Sequence, residues 1–201
     1  SGERVGNEFQ VNTYEGIQER NAVVETLGND KFVVIWHSVG RDSEVDEDIR
    51  GQILDRSGNK LGVEFTLNST TSNSQNFPDI TSDIDGGFIA TWNSMYQDGS
   101  GGSIIARKFD ALGNSLTNEL LVNAYTSGEQ TNPEINQLSD GNVVISWMSS
   151  GQDGSGQGLY GKIIDYNFQK IGNEFSINTE TYGDQAYLSM ASLSYGAFVV
   201  V

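Results

Sequence analysis

The sequence predicts an all-β protein made of tandem four-stranded antiparallel units, arranged as β-propeller-like blades or as an open stack of such sheets. Three observations predict it. The first is a repeat: Trp36, Trp92 and Trp147 step by 56 and 55 residues, and Asp55, Asp110 and Asp165 step by 55 and 55. Asn12, Asn68, Asn123 and Asn178 keep the same period, as do Gln18, Gln75, Gln130 and Gln185 within two residues. Such a period marks an array of one supersecondary unit. The second is an apolar run closing on each tryptophan, and the third is tight-turn chemistry between short alternating segments with no helical periodicity of useful length.

Each unit reads as four strands. The first is Glu-Phe-x-Val-Asn or its equivalent: Glu8-Phe9-Gln10-Val11-Asn12, Glu64-Phe65-Thr66-Leu67-Asn68, Glu119-Leu120-Leu121-Val122-Asn123 and Glu174-Phe175-Ser176-Ile177-Asn178. It alternates with period two, as a half-buried strand does. The second follows the glutamine, as in Pro78-Asp79-Ile80 and Pro133-Glu134-Ile135. The third is Phe32-Val33-Val34-Ile35-Trp36, Phe88-Ile89-Ala90-Thr91-Trp92 or Val143-Val144-Ile145-Ser146-Trp147. Five mostly apolar residues in a row imply burial on both faces, as in the middle of a blade. The fourth runs to the repeated aspartate, as in Leu159 to Asp165. Asp85-Gly86-Gly87, Asp140-Gly141-Asn142 and Gly113-Asn114 supply the positive-φ positions that hairpins need.

The chain therefore reads as one repeat array, with units 6–62, 63–117 and 118–172 and an incomplete unit 173–201. Ser1-Gly2-Glu3-Arg4-Val5-Gly6 matches Ser57-Gly58-Asn59-Lys60-Leu61-Gly62, so the chain opens on a hairpin without its preceding strand. It closes at Ala197-Phe198-Val199-Val200-Val201, inside a third strand. The expectation is a window on a longer repeat protein, or a sheet completed by a neighbouring subunit.

Composition narrows the function. The formal net charge of −16 disfavours nucleic acid and anionic membrane, and suits a cation-rich medium. No segment approaches the apolar length of a membrane span, so no membrane insertion is expected. With no cysteine, disulfides and thiolate metal sites are excluded. With one histidine, His37, histidine-pair zinc sites are excluded too. His37 stands where the other units carry Asn93 and Met148, and reads as a tolerated surface position.

The unit Glu-Phe-x-Val-Asn, Asp-Gly-Gly-Phe, Trp, Gln-Asp-Gly-Ser-Gly and Leu-Tyr-Gly resembles a tandem repeat of large secreted or surface proteins of bacteria and ciliated protists. Gln152-Asp153-Gly154-Ser155-Gly156-Gln157-Gly158-Leu159-Tyr160-Gly161 fits that signature closely. Those proteins often carry calcium-binding haemolysin-type or cadherin-like modules elsewhere. The resemblance covers nearly the whole chain and implies a secreted or cell-surface, propeller-like array with a structural or adhesive role. In the first unit Arg41-Asp42-Ser43-Glu44-Val45-Asp46-Glu47-Asp48 replaces the Gly-rich loop.

The candidate sites are few. The loops at 97–101 and 152–156 share the sequence Gln-Asp-Gly-Ser-Gly, and Asp98 and Asp153 in them are candidate Ca²⁺ ligands beside the plainer reading of a tight turn. Asp42, Glu44, Asp46 and Asp48 form a second candidate Ca²⁺ site in an acidic loop without EF-hand spacing. Asn68-Ser69-Thr70 is an N-glycosylation sequon at the repeated strand-end asparagine. The tryptophans read as core, and the repeated Asn and Gln as residues that satisfy backbone and bridge units. No motif pairs a nucleophile with a base. The expected function is thus a non-catalytic structural module, a scaffold or fibre component whose partners are copies of itself or neighbouring repeats. The alternative is a lectin-like or Ca²⁺-dependent adhesion module that binds glycans. An enzyme would need a non-repeated polar cluster in one pocket.

Overall fold

The computed structural model describes residues 6–14, 18–40 and 46–201. Fourteen strands and one short 3₁₀ turn make up the described chain. Strands β1 (Gln18–Leu27), β2 (Lys31–Val39), β3 (Glu47–Asp55) and β4 (Lys60–Thr66) form the first sheet in that order. Strands β5 (Gln75–Ser82), β6 (Phe88–Met95), β7 (Gly102–Phe109) and β8 (Leu120–Leu121) form the second. Strands β9 (Gln130–Gln137), β10 (Val143–Ser150), β11 (Gln157–Ile164) and β12 (Lys170–Ser176) form the third. Strands β13 (Met190–Ser192) and β14 (Phe198–Val200) pair as a fourth, two-stranded sheet. Every pairing is antiparallel, and the fold is the expected all-β, propeller-like array of four-stranded units.

The sheets are cut from the sequence in a different phase from the expected units. The Glu-Phe-x-Val-Asn segment is the last strand of one sheet, not the first strand of the next: Lys60–Thr66 pairs with β3, and Lys170–Ser176 with β11. A cyclic repeat fixes the order of its strands but not where a unit begins; the hydrogen bonds decide that.

Alternation along the middle strands explains how the sheets stack. Phe88, Ala90 and Trp92 of β6 join Val33, Ile35, Ile49 and Ile53 in the core between the first and second sheets. Their neighbour Ile89 points the other way, with Ile104 and Ala106, into the core shared with Val143, Ile145 and Trp147 of the third sheet. Val144 continues the pattern against Met190 and, more peripherally, Phe198. Trp36, Trp92 and Trp147 are buried core residues. Successive side chains point to opposite faces of a strand, so a strand covered on both sides must be apolar throughout.

A repeated polar clasp joins each sheet to the next. Asn68 accepts from the Ile49 amide at 2.8 Å and donates to the Thr70 carbonyl at 2.9 Å and to Gln75 Oε1 at 3.1 Å. Asn123 accepts from Ile104 at 2.8 Å and donates to the Tyr125 carbonyl at 2.9 Å and to Gln130 Oε1 at 3.2 Å. Asn178 repeats the set with Leu159, Glu180 and Gln185. In the first sheet the register places Glu19 opposite Ser38, as Gln75 is opposite Ser94, so Glu19 and not Gln18 occupies the repeated position.

The twin Gln-Asp-Gly-Ser-Gly loops belong to the same clasp. Asp98 Oδ1 accepts from the Ser100 amide and Asp153 Oδ1 from the Ser155 amide, each at 3.1 Å, closing the turn on itself. Gln97 donates to Glu119 at 2.8 Å, and Gln152 donates to Glu174. Ser100 Oγ accepts the Gly128 amide at 3.3 Å, and Ser155 Oγ the Gly183 amide at 3.1 Å, each reaching the linker to the next sheet. A Cβ at Gly101 would collide with the Gly128 carbonyl, and one at Gly156 with the Gly183 carbonyl, so both positions require glycine.

Candidate functional site

The innermost strands β1, β5 and β9 pack side by side, with residues 187–190 following them. Each innermost strand carries a two-residue bulge. The register slips between Arg20 and Val23 in β1, between Asn76 and Asp79 in β5, and between Ser146's and Met148's partners, Glu134 and Thr131, in β9. The first bulge residue is left-handed in each case: Asn21 (φ 51°), Phe77 (φ 50°) and Asn132 (φ 52°), with Tyr187 (φ 61°) at the matching place before β13. Left-handed backbone in a bulky residue costs on the order of 1–3 kcal/mol and concentrates at functional sites. All four residues line one open cavity of about 640 Å³.

The bulges aim the residues that follow them. Val23 pairs with Ile35, Asp79 with Thr91 and Glu134 with Ser146, so these three occupy one register position. Two of the three are carboxylates, and Glu25 lies two residues further along β1; Glu25, Asp79 and Glu134 all line the cavity. Asp79 Oδ2 accepts the Ile135 amide of the next sheet at 2.8 Å. Thr81 Oγ1 accepts the Gln137 amide at 3.1 Å, a second tie between the same strands. Glu134 accepts the Met190 amide in turn. Each acid is thereby pinned by the neighbouring innermost strand.

Burial, aided by neighbouring negative charge, holds both acids in the proton-binding range near neutrality. Burial pushes the Asp79 carboxyl up to about 6, against the pull of the Ile135 and Ile80 amides and with a further push from Glu25. Burial pushes Glu134 up to about 7, and the charge of Asp79 adds to it. The unfolded chain ionises these groups near pH 4. Between about pH 4 and 7 the folded state therefore holds more protons, and stability falls as pH rises through the folded values. Asp79→Asn keeps an oxygen for the Ile135 amide and removes the charge. It is expected to stabilise the chain by about 1–2 kcal/mol at pH 8, with the gain vanishing near pH 4; urea unfolding at the two pH values checks this.

The residues singled out in the sequence lie elsewhere. Asp48 is buried and accepts from Asn68 Nδ2 at 2.6 Å, with the Arg50 guanidinium 3.8 Å away. Asp98 takes a second hydrogen bond from Asn123 at 3.1 Å. The main chain of Asp46 closes the β2–β3 connection by accepting the Gly40 amide at 3.0 Å. Asp153 sits in its own turn, far along the chain from the others. Asp42 and Glu44 lie outside the described residues. Among the described residues no group of three or more His, Asp or Glu side chains is placed to hold a metal ion.

Asn68 and His37 are both buried. Asn68 of the sequon is 5% exposed, and its Nδ2 donates to Asp48, Thr70 and Gln75. His37 is not a surface position: it is 3% exposed, edge-on to the Phe77 ring at 6.2 Å, with Glu47 3.9 Å from its Nε2, and burial lowers its pKa.

The acid pair is inconspicuous in the sequence because each member sits in a copy of the same repeated segment. Pro78-Asp79-Ile80 and Pro133-Glu134-Ile135 read as two copies of one strand. The signal was the comparison with the first and last units: Val23 and Ser189 occupy that place, so an acid stands there in the second and third sheets alone.

No family model matches the sequence, and no curated protein matches it. Solved structures do match the fold. An endo-arabinase from Bacteroides thetaiotaomicron VPI-5482 superposes with a TM-score of 0.57 at 14% identity, over 89% of this chain and 68% of its own. A thermostable family-43 glycoside hydrolase superposes with a TM-score of 0.52 at 10% identity, over 83% of this chain and 56% of its own. The chain thus spans about two thirds of the one and just over half of the other. The expected non-catalytic structural module, with its adhesive alternative, does not stand against this finding. Nor does the expectation that the chain is no enzyme: the fold is shared with hydrolases, and its innermost strands carry the acid pair.

Proposed function

We propose that the chain is a glycan-processing domain that hydrolyses glycosidic bonds with Glu134 as general acid and Asp79 as general base. The observation that carries the reading is the pair itself. Two carboxylates with raised pKa values stand at one register position of adjacent innermost strands, inside a cavity of about 640 Å³. Glycoside hydrolysis needs two carboxyl groups, one protonated and one ionised at the working pH. The named activities of the fold neighbours, an endo-arabinase and a family-43 glycoside hydrolase, support the same chemistry.

In this reading Glu134 gives its proton to the glycosidic oxygen as the bond to the anomeric carbon breaks. Asp79 takes a proton from the water whose oxygen bonds that carbon. The sum is addition of one water across the bond, and proton exchange with solvent resets both acids. The Ile135 and Met190 amides hold the two carboxyls in place, and Glu25 adds negative charge that stabilises a cationic transition state.

The pH profile tests it. Asp79 must be ionised, which requires pH above about 6. Glu134 must be protonated, which requires pH below about 7. Reducing-end release from arabinan or xylan oligosaccharides should follow a bell centred near pH 6.5. A rate that rises or falls monotonically from pH 4 to 9 would assign the chemistry to other groups.

A further inference from the structure

The repeat makes one test of function possible: positions that the fold treats alike can be compared for what the fold does not require. The left-handed bulge residue is Asn21 in the first sheet and Asn132 in the third. Asparagine tolerates that conformation, because its short polar side chain bonds locally. In the second sheet and before β13 the same place is filled by Phe77 and Tyr187, residue types that the conformation disfavours. The bulge itself does not need an aromatic, since Asn21 and Asn132 form it as well. Nor does packing explain Tyr187, which is 88% exposed; Phe77 makes a T-shaped contact with His37 and stays 37% exposed.

Both aromatics stand where two cavities meet. The cavity that holds Asp79 and Glu134 adjoins a second of about 730 Å³, and the two share Phe77, Asn132, Met148 and Tyr187. Gln157 and Asp184 line the far lobe. No lysine or arginine lines either lobe among the described residues. Each lobe lies within the range that takes a drug-sized ligand.

We propose that Phe77 and Tyr187 are the stacking platforms of a two-lobed glycan cleft, that Asn21 and Asn132 bond sugar hydroxyls between them, and that the cleft takes a neutral oligosaccharide of several units. The C–H faces of pyranose and furanose rings pack on aromatic faces, while their hydroxyls need amide and carboxylate partners. A cleft with carboxylates and no cation repels uronate or sulfated chains. The shared wall makes the site continuous, so that a chain occupies both lobes while a single sugar fills only part of one. The assignment of the acid-bearing lobe rests on the hydrolase reading; the stacking role does not require turnover.

The test is calorimetric titration of the 201-residue chain carrying Glu134→Gln, so that the ligand survives. The probes are xylotetraose, cellotetraose and arabinotetraose, with xylose, trigalacturonate and the glucosamine tetramer as comparisons. At least one neutral tetrasaccharide should bind, and xylose should bind at least about tenfold more weakly. Phe77→Asn and Tyr187→Asn should each weaken tetrasaccharide binding about tenfold with an unchanged melting temperature, since asparagine fits this bulge in the other sheets. Tetrasaccharide binding that both substitutions leave intact would overturn the stacking role even if hydrolysis by the unsubstituted chain is real. Tighter binding of trigalacturonate or of the glucosamine tetramer would overturn the neutral assignment. Binding that depends on both aromatics, with no hydrolysis by the unsubstituted chain, would uphold the cleft and sink the acid–base reading alone.

Discussion

Glu134→Gln is expected to lower glycosidic hydrolysis by roughly 100- to 10,000-fold, the usual worth of a positioned general acid. The amide cannot give a proton to the leaving oxygen, while it keeps an oxygen to accept the Met190 amide, so the innermost strands stay tied. Asp79→Asn should cost a similar factor by removing the base. The two losses should not multiply, because an acid without its base, or a base without its acid, accomplishes little of the shared step. The pH profiles separate the roles further. Glu134→Gln should abolish the fall in rate above about pH 7, and Asp79→Asn the rise through about pH 6. Assays of both variants beside the double variant on one oligosaccharide give all of these results, and a Glu134→Gln rate within threefold of the original would remove Glu134 from the chemistry.

Asn123→Ala is expected to destabilise the chain by about 3 kcal/mol, the largest effect foreseen for a residue with no part in the chemistry. Asn123 is 1% exposed, and its loss strips partners from the Ile104 amide, Gln130 Oε1 and the Tyr125 carbonyl at once. Each unsatisfied buried group costs about 1–3 kcal/mol, and water entering the gap returns part of the sum. The clasp sits where the second sheet hands over to the third, so the damage should spread to the packing of Ile104 against Trp147. Urea unfolding, with hydrogen exchange at Ile104, reports both. Ser100→Ala in the same clasp removes only one long hydrogen bond, to Gly128, and should cost under about 1 kcal/mol.

Most of the architecture was legible because it repeats. Tryptophan spacing placed the middle strands, and apolar runs such as Val143 to Trp147 announced burial on both faces. The Asn and Gln markers at 68 and 75, 123 and 130, and 178 and 185 are the joints between sheets. The phase of the unit was not legible, since Glu64-Phe65 can open one sheet or close another until its hydrogen bonds to β3 are seen. The site was not legible for a related reason. A search for what recurs ranks Asp79 and Glu134 as one more matched pair, whereas their effect comes from a bulge that turns them into a shared cavity. A two-residue bulge leaves no composition signature beyond Pro78 and Pro133, and the left-handed Phe77 and Tyr187 are the last residues that turn statistics would nominate. The acidic loops carry a structural part that their composition does not show. Asp98 and Asp48 each accept a hydrogen bond from the clasp asparagine of their sheet.

The proposed role of Asp79 and Glu134 is to break glycosidic bonds at the innermost strands. Proton NMR of xylotetraose, cellotetraose and arabinotetraose incubated with the chain at pH 6.5 observes the bond cleavage itself. New reducing-end anomeric resonances should grow linearly with enzyme, with no such growth for Glu134→Gln. Unchanged spectra for all three sugars, or equal product from the two proteins, would contradict it.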